Sequence, residues 1–95
     1  MTKLRFVWDI KKAKINKSKH SVSFEEAETV FYDQNGRLFY DSGHCELEED
    51  RFLFLGISSR LRLLLVCHCF RESDRVIRII SARKATKNEA TFYTQ

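Results

Sequence analysis

The chain has 95 residues, of which 43% are hydrophobic and 13% aromatic, so its composition excludes an intrinsically disordered protein and suits one domain over residues 1–95. No apolar run approaches the roughly 18 residues of a membrane span, and Met1–Trp8 lacks the apolar core of a signal peptide. We therefore expect neither a membrane protein nor an exported one. Its cysteines, Cys45, Cys67 and Cys69, are odd in number and suit free thiols in the cytoplasm.

The net charge of +4 is distributed unevenly along the chain. Residues 1–20 carry seven Lys or Arg against Asp9, and residues 51–95 carry nine against three acids. The middle, residues 21–50, has nine acids against Arg37. If the fold brings the basic ends together, they form a cationic face for nucleic acid or an acidic protein segment. The alternative is an ordinary solvated basic surface.

The first half of the chain predicts one strand followed by two helices. Residues 4–8 alternate as a short strand, and Asp9 is a suitable N-cap for a helix from Ile10 to about His20. The pattern Ser23-Phe24-Glu25-Glu26 is a capping box, which opens a second helix ending near Phe31. Asn35-Gly36 then indicates a turn before Leu38-Phe39-Tyr40, and the acidic residues up to Asp50 are typical of a solvated loop.

The second half predicts three antiparallel strands and a short helix. The strands cover residues 51–58, 62–71 and 75–83, with turns at 58–61 and 72–74, and the middle strand is apolar on both faces, which suits a central position. A second capping box, Thr86-Lys87-Asn88-Glu89, opens the C-terminal helix. The expected class is α+β, an antiparallel sheet with the helices on one side.

Two blocks of this sequence resemble the BrnT family of toxins. The first block is Trp8-Asp9, Lys19-His20, residues 22–27 and Val30-Phe31, and the second is residues 77–86 with Glu89 and Tyr93. The resemblance spans roughly residues 6–93 in order. Further matching positions are Asp41, His44, Arg51, Gly56 and His68.

The resemblance implies a RelE-like fold and a ribonuclease that halts translation. It also implies a partner, a BrnA-like antitoxin with a ribbon-helix-helix part, and contact with operator DNA only through that antitoxin. The chain departs from the family at Ile10, where Pro is usual, and at Ser21 and Leu61, where Gly is usual. Ser21 and Leu61 would be strained if their backbones need a positive φ.

The chemistry implied by the resemblance, RNA cleavage without metal or cofactor, needs a base for the 2′-hydroxyl, cations for the phosphate and an acid for the leaving oxygen. Arg83, near a strand end, is our candidate phosphate clamp, and Arg78, Lys84 and His68 are the other catalytic candidates. Strand alternation places Arg83 and Arg78 on opposite faces unless a bulge or the strand end intervenes. His68 shares a face with apolar residues, so a buried core histidine is an equal alternative to a catalytic one.

Five further residues are candidates for RNA binding: Lys19, His20, Arg60, Arg62 and Arg71. Each has an ordinary alternative, since single surface charges are usually solvated and His20 at a helix end suits the helix dipole. Cys67-His68-Cys69 resembles a metal cluster, but alternation sends the thiols and the imidazole to opposite faces, so we predict no metal site.

The leading hypothesis is therefore an RNA-cleaving toxin that an antitoxin neutralises. The alternative is a non-catalytic basic module that binds nucleic acid or a partner, such as a degenerate toxin retained as a co-repressor. Turnover separates the two, because an enzyme consumes RNA at substoichiometric dose and a binder protects it.

Overall fold

The protein is described here from a computed structural model, which defines residues 4–41, 50–71 and 75–93. The turn expected at 72–74 and the acidic segment at 42–49, with His44 and Cys45, lie outside the described residues. The elements in chain order are β1 (Arg5–Val7), α1 (Ile10–His20), α2 (Phe24–Thr29), a 3-10 turn (Val30–Tyr32), β2 (Arg37–Tyr40), β3 (Phe52–Ile57), β4 (Leu63–Arg71), β5 (Val76–Lys84) and α3 (Lys87–Tyr93).

The strands form one five-stranded sheet in the order β1-β5-β4-β3-β2. The α+β class is confirmed, and β4 has the central position that its apolar character predicts. The sheet is mixed rather than antiparallel throughout, because β1 pairs parallel with β5. Asn35-Gly36 precedes an edge strand, β2, which pairs antiparallel with β3.

Both N-terminal helices begin where their capping residues predict. The Asp9 carboxylate accepts the backbone N–H of Lys11 at 2.8 Å, and the Ser23 hydroxyl accepts that of Glu26 at 3.0 Å. One half of the predicted capping box is wrong, because the Glu26 carboxylate bonds Ser58 and Arg62 instead of reaching back to Ser23. The helix α1 ends at His20, and the next residue, Ser21, caps it with a backbone φ of 59°.

The core lies between the two N-terminal helices and one face of the sheet, here called the helical face. Phe24, Ala27 and Val30 are fully buried against residues of β4 and β5, namely Leu64, Val66, Ile77, Ile79 and Ala82. The 3-10 turn approaches β3 closely at Gly56, where a Cβ atom would lie 3.0 Å from the Val30 carbonyl oxygen. A side chain at this position would push the 3-10 turn away by a few tenths of an ångström, so glycine suits the approach.

A bulge in β5 decides which of its side chains enter this core. His68 pairs with Ile79 and Cys67 pairs with Ser81, so Ile80 is an extra residue opposite no residue of β4. Because side chains alternate along a strand, one extra residue reverses the face of every later side chain. Ile77 and Ile79 precede the bulge on the helical face, and Ala82 follows it on that same face.

Asn16 ties α1 to β5 just beyond this bulge. β1 pairs with β5 only as far as Arg78, so it leaves the later backbone of β5 open on that side. The Asn16 side chain accepts the Ala82 N–H at 3.1 Å and donates to the Ala82 and Val22 carbonyls, both at 2.9 Å. Its amide thus replaces a missing strand at Ala82 and fixes the loop after α1.

The helix α3 lies against the opposite face of the sheet, here called the second face. Phe92 contacts Phe39 with ring centroids 6.1 Å apart, and Glu89 bonds Arg83. The Tyr93 hydroxyl donates to the Asp33 carboxylate at 2.6 Å, which anchors the end of the helix. The expectation that all helices share one side was therefore wrong, because the bulge turns Arg83, the partner of Glu89, toward the second face.

No helix in the described ranges is long and apolar enough to cross a membrane.

His68 belongs to the buried core on the helical face. Its ring is fully buried, with ring centroids 4.8 Å from Phe31 and 5.2 Å from Phe70, both edge to face. Nδ1 lies 3.2 Å from the Val66 carbonyl oxygen, and Nε2 has no hydrogen-bond partner among the described residues. Burial lowers the pKa of His68 to about 4, so the imidazole is neutral at physiological pH.

Replacing Asn16 with Ala should destabilise the protein by about 2–4 kcal/mol, because buried backbone groups of Ala82 and Val22 lose their partners. Urea unfolding at pH 7.5 measures this, with the exposed Lys12→Ala on the same helix as the control. A loss below about 1 kcal/mol for Asn16→Ala would show that water replaces the amide.

Replacing Leu61 with Gly should stabilise the protein by about 0.5–1 kcal/mol, since Leu61 has a φ of 61° and is 85% exposed. Ser59→Gly in the same turn is the control, because its φ is not positive and it should lose stability through the unfolded-state entropy. Equal effects of the two substitutions on the thermal midpoint would contradict strain at Leu61.

The buried neutral His68 should make the protein less stable in acid. Its folded pKa of about 4 lies below the unfolded value near 6.5, so the native state loses stability as pH falls between them. Between pH 7.5 and 5 this costs about 2 kcal/mol, and His68→Leu should lack that component. Urea unfolding of both proteins at both pH values measures it, and an identical pH dependence would show that His68 is not responsible.

Candidate functional site

The strongest candidate site is an open groove on the second face, here called the arginine groove. It has a volume of about 280 Å³ and is lined by polar and apolar side chains. These side chains come from β3, β4, β5 and α3, and from the residues that directly follow β2 and precede β3. Its lining residues are Asp41, Arg51, Leu53, Leu65, Cys67, Ile80, Ser81, Arg83 and Glu89.

A two-pronged ion pair between Arg83 and Glu89 dominates the groove. Arg83 Nη1 donates to Glu89 Oε1 at 2.8 Å, and Nη2 donates to Oε2 at 2.7 Å. The side chains are 39% and 26% exposed, so the pair is open to solvent from the groove. The planar donors of a guanidinium fit a phosphate in the same way as a carboxylate.

The second capping box positions Glu89, as the sequence predicts. The Glu89 N–H donates to the Thr86 hydroxyl at 3.1 Å, and Glu89 Oε1 accepts the Thr86 N–H at 2.9 Å. The carboxylate therefore caps α3 and binds Arg83 simultaneously. The Arg83 hydrogen bonds lower the pKa of Glu89 to about 2, and the same bonds raise the pKa of Arg83. Both groups are charged throughout the physiological range.

The bulge at Ile80 places Arg78 and Arg83 on the same face. Register assigns Arg78 opposite Cys69, Ser81 opposite Cys67 and Arg83 opposite Leu65, all on the second face. The opposite placement of Arg78 and Arg83 that uninterrupted alternation predicts is therefore wrong, because the bulge that would reverse it is present. Arg78 and Arg83 are four β4 residues apart, or about 13 Å along the strand.

Two other catalytic candidates lie on the helical face. Lys84 is opposite Leu64 and is exposed at the sheet margin, and His68 is fully enclosed by the core. Since His68 is neutral and sealed from the groove by the sheet, the structure favours the core alternative for it. Neither residue converges with Arg83.

The candidate RNA-binding residues are divided between the ends of the molecule. Lys19 and His20 end α1, and Arg60 and Arg62 lie in or beside the turn between β3 and β4. Arg62 Nη2 donates to the Ser21 carbonyl at 3.1 Å, which joins these two regions. Arg71 ends β4 and is therefore at the opposite end of that strand. The basic N-terminal and C-terminal parts of the chain are therefore adjacent at Ser21 and Arg62, but Arg71 lies away from that contact.

Arg62 is also part of a buried polar cluster. Its Nε donates to Glu26 Oε2 at 2.9 Å, its Nη2 donates to Oε1, and the Ser58 hydroxyl donates to Oε2 at 2.7 Å. The Arg62 hydrogen bonds lower the pKa of Glu26, and those bonds raise the pKa of Arg62. The side chains of this pair are only 23% and 5% exposed, less than those of Arg83 and Glu89, so Arg62 has less to offer a phosphate than the exposed Arg60 beside it.

Metal ligands are not grouped within residues 4–41, 50–71 and 75–93: no three His, Cys, Asp or Glu side chains converge. Cys67 lies in the arginine groove on the second face, whereas His68 lies in the core on the helical face. The opposition of thiols and imidazole that strand alternation predicts is confirmed.

Sequence reasoning did not predict four polar residues of the groove: Asp41, Arg51, Ser81 and Glu89. Glu89 carried a usable signal, because the capping box places its carboxylate a few residues after the proposed clamp. Asp41 and Arg51 were noted only as positions of resemblance, and backbone pairing joins them, with the Asp41 N–H donating to the Arg51 carbonyl at 2.9 Å.

Comparison with known structures supports the fold. The chain is similar to the crystal structure of the Brucella abortus ribonuclease toxin, BrnT, with a TM-score of 0.65 and 20% sequence identity. The similarity covers 88% of this chain and 99% of that one. A search of curated protein sequences gives no match.

The family comparison covers most of the chain. Residues 8–89 match the model described as the ribonuclease toxin, BrnT, of type II toxin–antitoxin systems. The match includes the Asp9 cap, the four strands β2 to β5, and Glu89 at the head of α3, and it begins just after β1. The chain belongs to the BrnT family of ribonuclease toxins.

Proposed function

We propose that this protein cleaves RNA in the arginine groove, without a metal ion, as the toxin of a type II toxin–antitoxin pair. The observation that carries the proposal is Arg83, whose two donors are 2.7 and 2.8 Å from a bidentate oxyanion in an open groove. A scissile phosphate would take the place of that carboxylate. Arg78 on the same face would bind a second phosphate further along the strand.

The proposed reaction is an internal transesterification. The 2′-hydroxyl oxygen attacks the adjacent phosphorus, the bond to the 5′-oxygen breaks, and the products carry a 2′,3′-cyclic phosphate and a 5′-hydroxyl. Arg83 neutralises charge that accumulates on the phosphate oxygens in the transition state. Exposed Lys19 and Arg60, with the half-buried His20 beside Lys19, would guide the rest of the RNA.

The partner in this proposal is a BrnA-type ribbon-helix-helix antitoxin, through which alone the complex contacts operator DNA. Family membership implies an antitoxin, and the finer assignment rests on the resemblance. We place the reaction in the cytoplasm, where cleavage of RNA by a RelE-like mechanism halts translation.

A second function, RNA or partner binding without turnover, is favoured by one observation. Arg83 is already paired with the Glu89 carboxylate, so a phosphate must displace that carboxylate before it can bind Arg83. A protein that cannot complete this exchange would act as a co-repressor with its antitoxin and would never cleave.

Replacing Arg83 with Ala should slow cleavage at least about 100-fold, because one preorganised donor group for the transition state is lost. Arg83→Lys should recover little of this, since an ammonium lacks the planar pair of donors. The assay uses substoichiometric protein, refolded after separation from co-expressed antitoxin, with bulk RNA in EDTA and mapping of fragment ends. Arg5→Ala at the far edge of the sheet is the control.

Circular dichroism and antitoxin binding establish that the Arg83 variants fold. A folded Arg83→Ala protein that cleaves at the wild-type rate would refute the site. If the wild type leaves both free RNA and translating ribosomes intact while protecting RNA, the non-catalytic function is correct.

A further inference from the structure

The reaction proposed above needs a base for the 2′-hydroxyl proton, and His68 is sealed away from the groove. The described carboxylates that line the groove are Asp41 and Glu89. Of these, Glu89 is directly bonded to the proposed phosphate clamp through both of its oxygens. It is therefore the group that a phosphate entering the fork of Arg83 meets first.

We propose that Glu89 is the general base of this toxin, and that the scissile phosphate releases it by replacing it as the hydrogen-bond partner of Arg83. This inference rests on the proposed ribonuclease function. Glu89 then has two states: bound to Arg83 in the free protein, and beside the phosphate in the complex.

The geometry supports an exchange rather than simultaneous binding. Arg83 directs one pair of donors at Glu89, and a bidentate phosphate needs that same pair. After displacement the carboxylate still accepts the Thr86 N–H, which is 2.9 Å away in the free protein. This backbone hydrogen bond keeps the carboxylate at the groove instead of letting it swing into solvent.

The charges facing Glu89 explain why it would act only on bound RNA. In the free protein Arg83 holds the pKa of Glu89 at about 2, which makes the carboxylate a weak base. The other titratable groups lining this groove are Asp41, Arg51 and Cys67. When phosphate takes Arg83, Glu89 loses its main stabilising hydrogen bond and gains an anionic neighbour, and both changes raise its pKa.

The proton balance of the step closes without a further reactant. Glu89 takes the proton of the 2′-hydroxyl as its oxygen bonds phosphorus. Water protonates the departing 5′-oxygen, and Glu89 returns its proton to solvent. No oxidation occurs, and no proton is gained or lost overall.

The test compares Glu89→Gln with Thr86→Ala. A glutamine retains a side-chain oxygen for the capping box but lacks the charge and the basicity, whereas Thr86→Ala removes one hydrogen bond of the cap and leaves Glu89 intact. Binding is measured with an oligonucleotide whose scissile 2′-hydroxyl is replaced by hydrogen. Cleavage is measured in single turnover with the matching RNA.

We expect Glu89→Gln to bind the oligonucleotide as tightly as the wild type or more tightly, because Arg83 no longer faces a competing anion. Its cleavage should be at least about 100-fold slower, a typical contribution of general-base catalysis. Thr86→Ala should cleave within a few-fold of the wild type. The saturated wild-type rate should fall in acid at a pH where kcat/KM does not, and Glu89→Gln should lack this fall.

Each alternative outcome has a separate meaning. If the wild type does not cleave, the proposed function fails first. If the wild type cleaves and folded Glu89→Gln cleaves equally well, Glu89 is not the base. If Glu89→Gln loses binding and cleavage together, Glu89 only orients Arg83, and the inference is overturned.

Discussion

The extra residue in β5 is the constraint on which the remaining structure depends. Ile80 has no opposite residue on β4, so the side chains after it change faces. Without this bulge, Arg83 would point into the apolar layer under α1 and α2, where an unpaired guanidinium is costly. With it, the small Ala82 enters the core and Arg83 enters the groove.

Asn16 completes the sheet on the side that β1 leaves open. β1 ends opposite Arg78, and the Asn16 amide then bonds the N–H and carbonyl of Ala82. These bonds fix α1 over the sheet, and Arg62 ties the end of that helix to the turn before β4 through the Ser21 carbonyl. The backbone of β5 around Arg83 is therefore held from the side opposite the groove.

The local elements of this fold were predictable because their signals are local. The caps at Asp9, Ser23 and Thr86 each depend on residues two or three positions apart, and the apolar run of β4 indicates its central place. The faces of Ser81 and Arg83 were not predictable, since alternation assumes that no residue is inserted. The partner of Glu26 was also missed, because Arg62 is 36 positions away and the capping box offered a nearer alternative.

Of the residues of the candidate site, the sequence alone singled out only the cation, Arg83. Arg83 could be singled out as a bidentate phosphate ligand near a strand end, but its pairing with Glu89 requires α3 to cross to the second face. For His68 the sequence left a catalytic role and a core position as equal alternatives, and the fold favours the core, where burial keeps the imidazole neutral.

The most direct test of this account is a carbon-13 NMR titration of the Glu89 carboxyl, with and without the 2′-deoxy oligonucleotide. In the free protein its pKa should be about 2, because Arg83 holds the carboxylate in its charged form. If phosphate takes Arg83, the pKa of Glu89 should rise clearly in the complex. An unchanged low pKa in the saturated complex would mean that the Arg83–Glu89 pair persists, and it would contradict binding of the scissile phosphate at Arg83.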